Sequence, residues 1–391
     1  MNGKYDNDFK YLIVGGGIGG LAAALTLAKA GGEVCVLEQA EEFGEVGFGL
    51  QLAPNALRAL DKIGVLEAVK KKAVFPRRLV ILDAISGDEL TSLDLGEQFK
   101  ERYGYPYIVT HRVDLHNALL EACRSNTSIT LLNDQKVTSI EDLGERVKVE
   151  TSEGDIYHAE VVIGADGLWS ESRKLVSNDE PVCAKYVAYR GTIPTKEISP
   201  HEHFDDVVCW IAPSLHLVQY PLRNKELYNQ VAVFKSERYK ENTDNWGTVE
   251  ELEERFSQCC DKVLNYITFI QRHRRWPLYD RNPIDNWTKG RFTLLGDAAH
   301  PMLQYLAQGA CQALEDAVVL GEKIKHYGED VNRALLAYQE ERIPRTSMVQ
   351  QRARTFGDIL HTGDPVAILL RNNLFENRSP FDYDIVDWLY R

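Results

Sequence analysis

Three glycine-bearing turns, far apart in the chain, carry residue types suited to a phosphorylated nucleotide. Gly15, Gly17 and Gly20 form G-x-G-x-x-G within Gly15-Gly-Gly-Ile-Gly-Gly20, directly after the apolar run Tyr11-Leu-Ile-Val14. A strand, a glycine turn and a helix in that order let backbone N–H groups close on a pyrophosphate at the positive end of the helix. Glu38 ends the run Glu33-Val-Cys-Val-Leu-Glu38, 21 residues after Gly17, where an acid accepts from a ribose hydroxyl. An acid there, and not an arginine, favours FAD or NAD over NADP and leaves those two open. The second turn, Asp166-Gly167, closes the strand-like run Ala159-Glu-Val-Val-Ile-Gly-Ala165; taken alone it reads equally well as an ordinary turn. The third, Gly296-Asp297, ends Arg291-Phe-Thr-Leu-Leu295 and leads through His300-Pro301 to a helix from about Gly309, whose first N–H groups have no partner within the helix.

A different chemistry lies in Leu215-His-Leu-Val-Gln-Tyr220. Strand periodicity puts His216, Val218 and Tyr220 on one face and Leu215 and Leu217 on the other. A face bearing an imidazole and a phenol can line a pocket and exchange a proton near neutral pH. On the strand alone, a hydrogen-bonded structural histidine is the commoner outcome.

These groups need positioning elements, and the surrounding pattern supplies them. Leu21 to Ala30 is a strong helix former that stops at Gly31-Gly32. Trp169-Ser170-Glu171 reads as a helix start with Ser170 as cap. Tyr186 to Ile211 and Leu215 to Phe234 alternate apolar and polar residues with turn breaks, as a mostly antiparallel sheet would, and Arg78 to Asp94 adds strands of the same kind. The stretch from 240 to 290, acidic and then aromatic, suggests a surface helix and a return to the first domain.

A chain of 391 residues with 44% hydrophobic content can bury the core of two joined domains. Its longest apolar runs fall short of the roughly 20 residues that span a bilayer. The polar N-terminus leads into the first strand without a signal or transit pattern, so a cytoplasmic address is expected. Seven scattered cysteines, with no Cys-x-x-Cys, indicate neither a disulfide framework nor a metal site. A formal net charge of -13 opposes contact with nucleic acid or anionic lipid, so an anionic substrate must be captured by local groups.

Taken jointly, the three turns resemble the fingerprint of the group A flavoprotein monooxygenases, the para-hydroxybenzoate hydroxylase family. The resemblance implies an α/β fold: a Rossmann-type FAD-binding domain (residues 1–75, 101–180 and 286–337) interrupted by a β-rich substrate domain (76–100 and 181–285), with a C-terminal helical region (338–391). It implies bound FAD, dioxygen activated at flavin C4a, and NADH or NADPH as transient reductant. No second glycine fingerprint exists, so the reductant would share the cleft. Asp166 with Gly167 would then lie near both FAD and nicotinamide, Gly296 and Asp297 would bind the ribityl chain, and Arg112 in His111-Arg112-Val-Asp-Leu-His116 would contact FAD. Pro301, Gly309 and Ala310 would bind the cofactor, the N–H groups of the helix from about Gly309 facing the pyrimidine edge of the isoalloxazine, and Gly44 to Asn55 would lie against the flavin. The chain departs from the family's Gly-Gln-Gly and following Asn in having Ala307-Gln308-Gly309 and Cys311.

On the substrate side, His216 with Gln219-Tyr220-Pro221-Leu-Arg223, Tyr189-Arg190-Gly191, Pro301-Met-Leu-Gln304-Tyr305-Leu306, Phe43-Gly-Glu-Val-Gly47 and Asp387-Trp388-Leu389 resemble the branch that hydroxylates 3-hydroxybenzoate para to its phenol, giving 2,5-dihydroxybenzoate. By that resemblance His216 takes the phenolic proton, Gln304 orients the phenol oxygen and Tyr220 lies in the pocket. Tyr220 or Arg190 receives the carboxylate, unless Arg190 faces the flavin. A salicylate or 6-hydroxynicotinate hydroxylase of the same family, and a flavin-binding regulatory protein without turnover, are the alternatives. Homodimerisation is expected from the family alone.

Overall fold

The run Tyr11–Val14 is wholly apolar because it lies inside a parallel sheet covered on both faces. In the computed structural model, which describes residues 7–44, 47–198, 203–241, 243 and 245–391, strand Asp8–Val14 has Val34–Leu37 on one side and Ile156–Gly164 on the other, all parallel. Ile129–Leu132 and Phe292–Leu294 extend the two flanks, again parallel. Val14 is in register with Gly164, and Gly164 with Leu294. Three turns separated by well over a hundred residues therefore emerge side by side at the carboxyl edge, where open α/β sheets bind their ligands.

Two glycines of the first turn are demanded by packing. Gly15 has φ +109°, and a Cβ there would come 2.4 Å from the Ala165 carbonyl oxygen. A Cβ on Gly20 would come 2.0 Å from the Gly15 carbonyl oxygen. The helix that follows, Ile18–Lys29, is capped at its C-terminus by Ala30, with Gly31 at φ +88° just beyond.

The second sheet has seven strands in the order Trp276–Asp280, Val182–Pro194, Leu227–Lys235, Leu215–Leu222, Val207–Ala212, Arg78–Asp83, Glu89–Asp94. Every pairing is antiparallel except Val207–Ala212 with Arg78–Asp83. Helices Val249–Phe256 and Asp261–Ile267 cover one face of it, their Phe256, Val263 and Ile267 packing with Trp210, Leu217 and Phe234.

Two expectations need correcting. No α-helix follows the Asp166-Gly167 turn: Ser172–Leu175 is a single 3-10 turn. The Asp166 carboxylate takes the Ser170 and Ser172 hydroxyls at 2.5 and 2.6 Å and the Ser172 N–H at 2.9 Å, which closes the chain too early for a helix. Ser170 Oγ does accept from Arg173 N at 2.9 Å, as a cap would. The boundary placed at 337/338 falls inside one continuous helix, Val331–His361. At 31 residues that helix is about 46 Å long, enough to run from beneath the parallel sheet to the second sheet.

Replacing Gly20 with Ala forces the first helix off the strand. We expect a loss of about 1–3 kcal/mol in urea unfolding; a variant as stable as the parent contradicts the close approach.

Candidate active site

One cavity of about 640 Å³ runs from the carboxyl edge of the parallel sheet to the inner face of the second sheet. Its nucleotide end is backbone-rich. Gly17, Ile18 and Gly19 form one wall, and Gly309 and Ala310 another. These are the first residues of helices Ile18–Lys29 and Gly309–Tyr327, neither of which has a side-chain N-cap. Two positive helix ends thus face one space. Arg112, Gly167, Gly296 and Asp297 complete this end. Gln308, also on the wall, has a buried Nε2 with no protein acceptor.

Several expected cofactor residues lie behind the wall. Gly15 and Gly20 serve the strand-to-helix approach, and Gly17 is the glycine of that trio on the cavity. Glu38 reaches back to the glycine turn, accepting from Gly16 N at 2.7 Å and Ala40 N at 2.9 Å. Asp166 is engaged by its own serines, and Gly167, at φ +79°, is the residue of that turn on the cavity. Pro301 is buried, its carbonyl accepting from Gln350 Nε2 at 2.9 Å. Glu45 and Val46 of the loop expected against the flavin lie outside the described residues; Gly49, Leu50 and Gln51 line the cavity. Ala307, where the family has Gly, adopts φ +52°, a conformation that costs a residue with a Cβ. The Cys311 thiol, pushed up to about 12 by burial, points at the Gln51 and Ala307 carbonyls.

Two buried charges that the motifs did not flag hold the turns together. Arg173 donates to Asp179 and, at 2.8 and 2.6 Å, to the Ala298 and Ala299 carbonyls, so the Asp166 turn is tied to the Asp297 turn. Asp316 accepts from Gly296 N at 3.0 Å, His300 Nε2 at 2.5 Å and Arg342 Nε at 2.6 Å. Burial alone would raise its pKa, but the charges and hydrogen bonds of His300 and Arg342 outweigh that and hold it at about 2.

At the other end His216, Val218 and Tyr220 line the cavity, while Leu215 and Leu217 pack into the core behind, as strand alternation requires. Gln304 and Arg190 face the same space, and Arg190 Nη2 donates to Gln304 Oε1 at 3.0 Å. The Arg190 guanidinium lies 5.7 Å from the Phe48 ring and 5.9 Å from the Trp276 ring. Burial lowers its pKa and Arg112 adds repulsion; no described carboxylate pairs with it. The Tyr220 ring packs on Gly49, where a Cβ would lie 2.4 Å from it, and burial pushes its phenol up, eased by Arg190.

Sequence periodicity also missed the partner of His216. His361, the last residue of the long helix, places Nε2 at 2.7 Å from His216 Nδ1. Burial, with His361 adding repulsion, holds His216 well below the usual histidine range. Burial, with Arg371 and Lys235 nearby, lowers His361 to about 4. Both rings are therefore neutral near pH 7. A lone histidine at a helix end gives no signal of such a contact.

An unfolded chain has histidines near their ordinary pKa of about 6.5. As pH falls through that value it takes up protons that the folded pair refuses, and stability drops. We expect the urea midpoint to fall between about pH 7 and about pH 5 more steeply in the parent than in a His216→Asn/His361→Gln double variant; equal slopes contradict the neutral pair.

The cradle fits a flavin dinucleotide: two uncapped helix ends, the glycine backbone of Gly17 and Gly19 and an acceptorless amide face one cavity. Comparison with known proteins agrees. The FAD binding domain family matches residues 8–353. A 3-hydroxybenzoate 6-hydroxylase of Polaromonas naphthalenivorans (strain CJ2) is 40% identical over 384 residues, 98% of this chain and 96% of its own. A second 3-hydroxybenzoate 6-hydroxylase, from Klebsiella oxytoca, is 37% identical over 380 residues, 97% and 96% of the two chains. Among solved structures, Klebsiella pneumoniae HpxO, complexed with FAD and uric acid, shares the fold at a TM-score of 0.85 and 24% identity, covering 97% of this chain and 96% of that one. Among the described residues no helix is long and apolar enough to cross a membrane. The chain belongs to the family of group A flavoprotein hydroxylases and is an FAD-dependent monooxygenase, reduced by NADH or NADPH, that uses dioxygen on a small aromatic substrate.

Proposed function

We propose that the substrate is a small phenolic acid, 3-hydroxybenzoate, converted to 2,5-dihydroxybenzoate. The observation that carries this reading is the cluster at the far end of the cavity. A neutral histidine, an amide and a buried guanidinium without a carboxylate partner face one space beside the flavin cradle. An unpaired buried cation favours an anionic guest, because leaving it uncompensated costs more than seating a carboxylate against it. Arg190, with the protonated Tyr220 phenol beside it, is suited to that carboxylate.

The phenol lies at the opposite job. Its oxygen has a pKa of about 10 in water and donates electrons to the ring far better once ionised. His216 accepts the proton, which a ring kept neutral by burial can do at neutral pH. The Gln304 oxygen is committed to Arg190, so its Nε2–H remains to donate to the phenolate oxygen and stabilise the charge formed there. Bound FAD, reduced by the nicotinamide and supplied with dioxygen, provides the electrophilic oxygen. Trp276, backed by Phe48, and Leu278 keep water from the ring. Asp297, on the wall at the nucleotide end, is assigned to the ribityl chain, and Arg112 to the flavin.

A panel of 3-hydroxybenzoate, salicylate and 6-hydroxynicotinate tests the substrate. We expect 3-hydroxybenzoate to give the largest stimulation of NADH oxidation, with 2,5-dihydroxybenzoate as product; a larger response to either competitor, or another product, rejects the assignment. His216→Asn should keep its yellow FAD while hydroxylation slows roughly 10²- to 10⁴-fold; turnover at the parent rate across neutral pH removes the histidine from its role.

A further inference from the structure

His361 arrives from the far end of the chain and has no part in the reaction as drawn above, yet its geometry toward His216 is specific. With 2.7 Å between His216 Nδ1 and His361 Nε2, ring centroids 4.9 Å apart and planes within 16° of parallel, the two imidazoles meet edge to edge in nearly one plane. That arrangement aligns an N–H on one ring with the lone pair of the other. Tyr305 packs edge-on against both rings, at 5.7 Å from His216 and 5.2 Å from His361. The helix end is pinned by Ser214 N–H on the His361 carbonyl at 3.0 Å and by Arg371 on the Leu360 carbonyl at 2.9 Å. His216 lines the cavity and His361 does not, which leaves His216 Nε2 as the nitrogen on the substrate side.

Two neutral imidazoles share one proton along their common line. If His361 donates, His216 must carry its own proton on Nε2 and has no lone pair for the substrate. If His216 donates from Nδ1, its Nε2 is a base facing the cavity. The state of His361 thus decides whether His216 can work.

We propose that His361 is a positioning and relay residue: it holds His216 in the Nδ1–H form and takes that proton when His216 Nε2 receives the substrate's. The inference rests on the reading of His216 as base. In the step, the phenol O–H bond breaks and the Nε2–H bond of His216 forms; the His216 Nδ1–H bond breaks and the Nε2–H bond of His361 forms. The phenolate keeps the electron pair, and the positive charge ends on His361, which returns to neutral by losing its Nδ1 proton to water. The groups that act on this end are Arg371 and Lys235 on His361, Asp358 on the Tyr186 and Tyr305 phenols, Arg255 on Tyr186 and Asp280 on Tyr305, with the Tyr186 ring stacked on His361 at 4.9 Å. The two cations disfavour charge resting on His361, so the proton passes outward and does not accumulate.

Holoenzyme mixed with 3-hydroxybenzoate, or with the isomer the panel selects, in weak buffer containing a pH indicator reports both binding and proton release. The parent should release one proton for each substrate bound. In His361→Gln, whose amide oxygen still accepts from His216 but hands no proton on, we expect the dissociation constant to change less than about threefold while release slows at least about tenfold. In His361→Phe, which fills the space without an acceptor, the amplitude of release should collapse while FAD stays bound. Release at the parent rate in both variants overturns the relay and leaves His216 untouched. No release from the parent, or full hydroxylation by His216→Asn, overturns the base itself and the relay with it.

Discussion

Asp316 is fully buried, and its two oxygens accept from a backbone amide and an imidazole of one turn and from a guanidinium of the long helix. A carboxylate removed from water is tolerable only when its lone pairs are satisfied, and then it constrains every donor it holds. Here the donors are Gly296 in the turn that carries Asp297, His300 just after it, and Arg342 on the long helix. Asp316 itself lies on the helix whose N-terminus walls the cavity. Losing one partner of such a buried pair costs roughly 3–5 kcal/mol, because the other charge stays behind. Both the height of the third turn and the direction of the helix end follow from this one group, and Arg173 extends the same lock to the second turn.

The cavity divides its electrostatics between its ends. At the nucleotide end the positive potential comes from backbone N–H groups at two helix starts, which cannot be deprotonated and need no counter-ion of their own. At the substrate end it comes from one guanidinium, while the titratable base is kept neutral by burial. A charged histidine in the same space would compete with Arg190 for an anionic guest and would have no lone pair with which to accept a proton. Desolvation therefore does two things at once: it makes the cation attractive to an anion and keeps the imidazole free to accept a proton.

The long helix Val331–His361 couples these ends mechanically. Arg342, in its first half, holds Asp316 beneath the flavin cradle, and Phe356, Leu360 and His361, in its last turns, close on the substrate wall. The helix packs against Thr288–Lys289 of the first sheet and against Val207–Ala212 and Leu215–Leu222 of the second, and so belongs to both.

The strands, the glycine turn and the first helix were legible in the sequence because their signals are local: apolar runs, a fixed glycine spacing, and the period of two that put His216, Val218 and Tyr220 on one face. The side-by-side placement of the three turns could be anticipated from family resemblance, but register between Val14, Gly164 and Leu294 creates it. What sequence spacing could not decide is where short polar side chains spend their hydrogen bonds. Asp166 can equally face a ligand or its own serines, and only the folded turn chose the serines. Arg173, Asp316 and His361 carry no local pattern at all; His361 meets His216 across 145 residues of chain, a contact set by the length and packing of one helix. The sequence by itself determined the nucleotide fold and the pocket-facing strand, through periodicities that act over a few residues. Tertiary structure alone decided which buried charges lock the turns and which second histidine meets the first, because those pairings depend on distances that no sequence interval encodes.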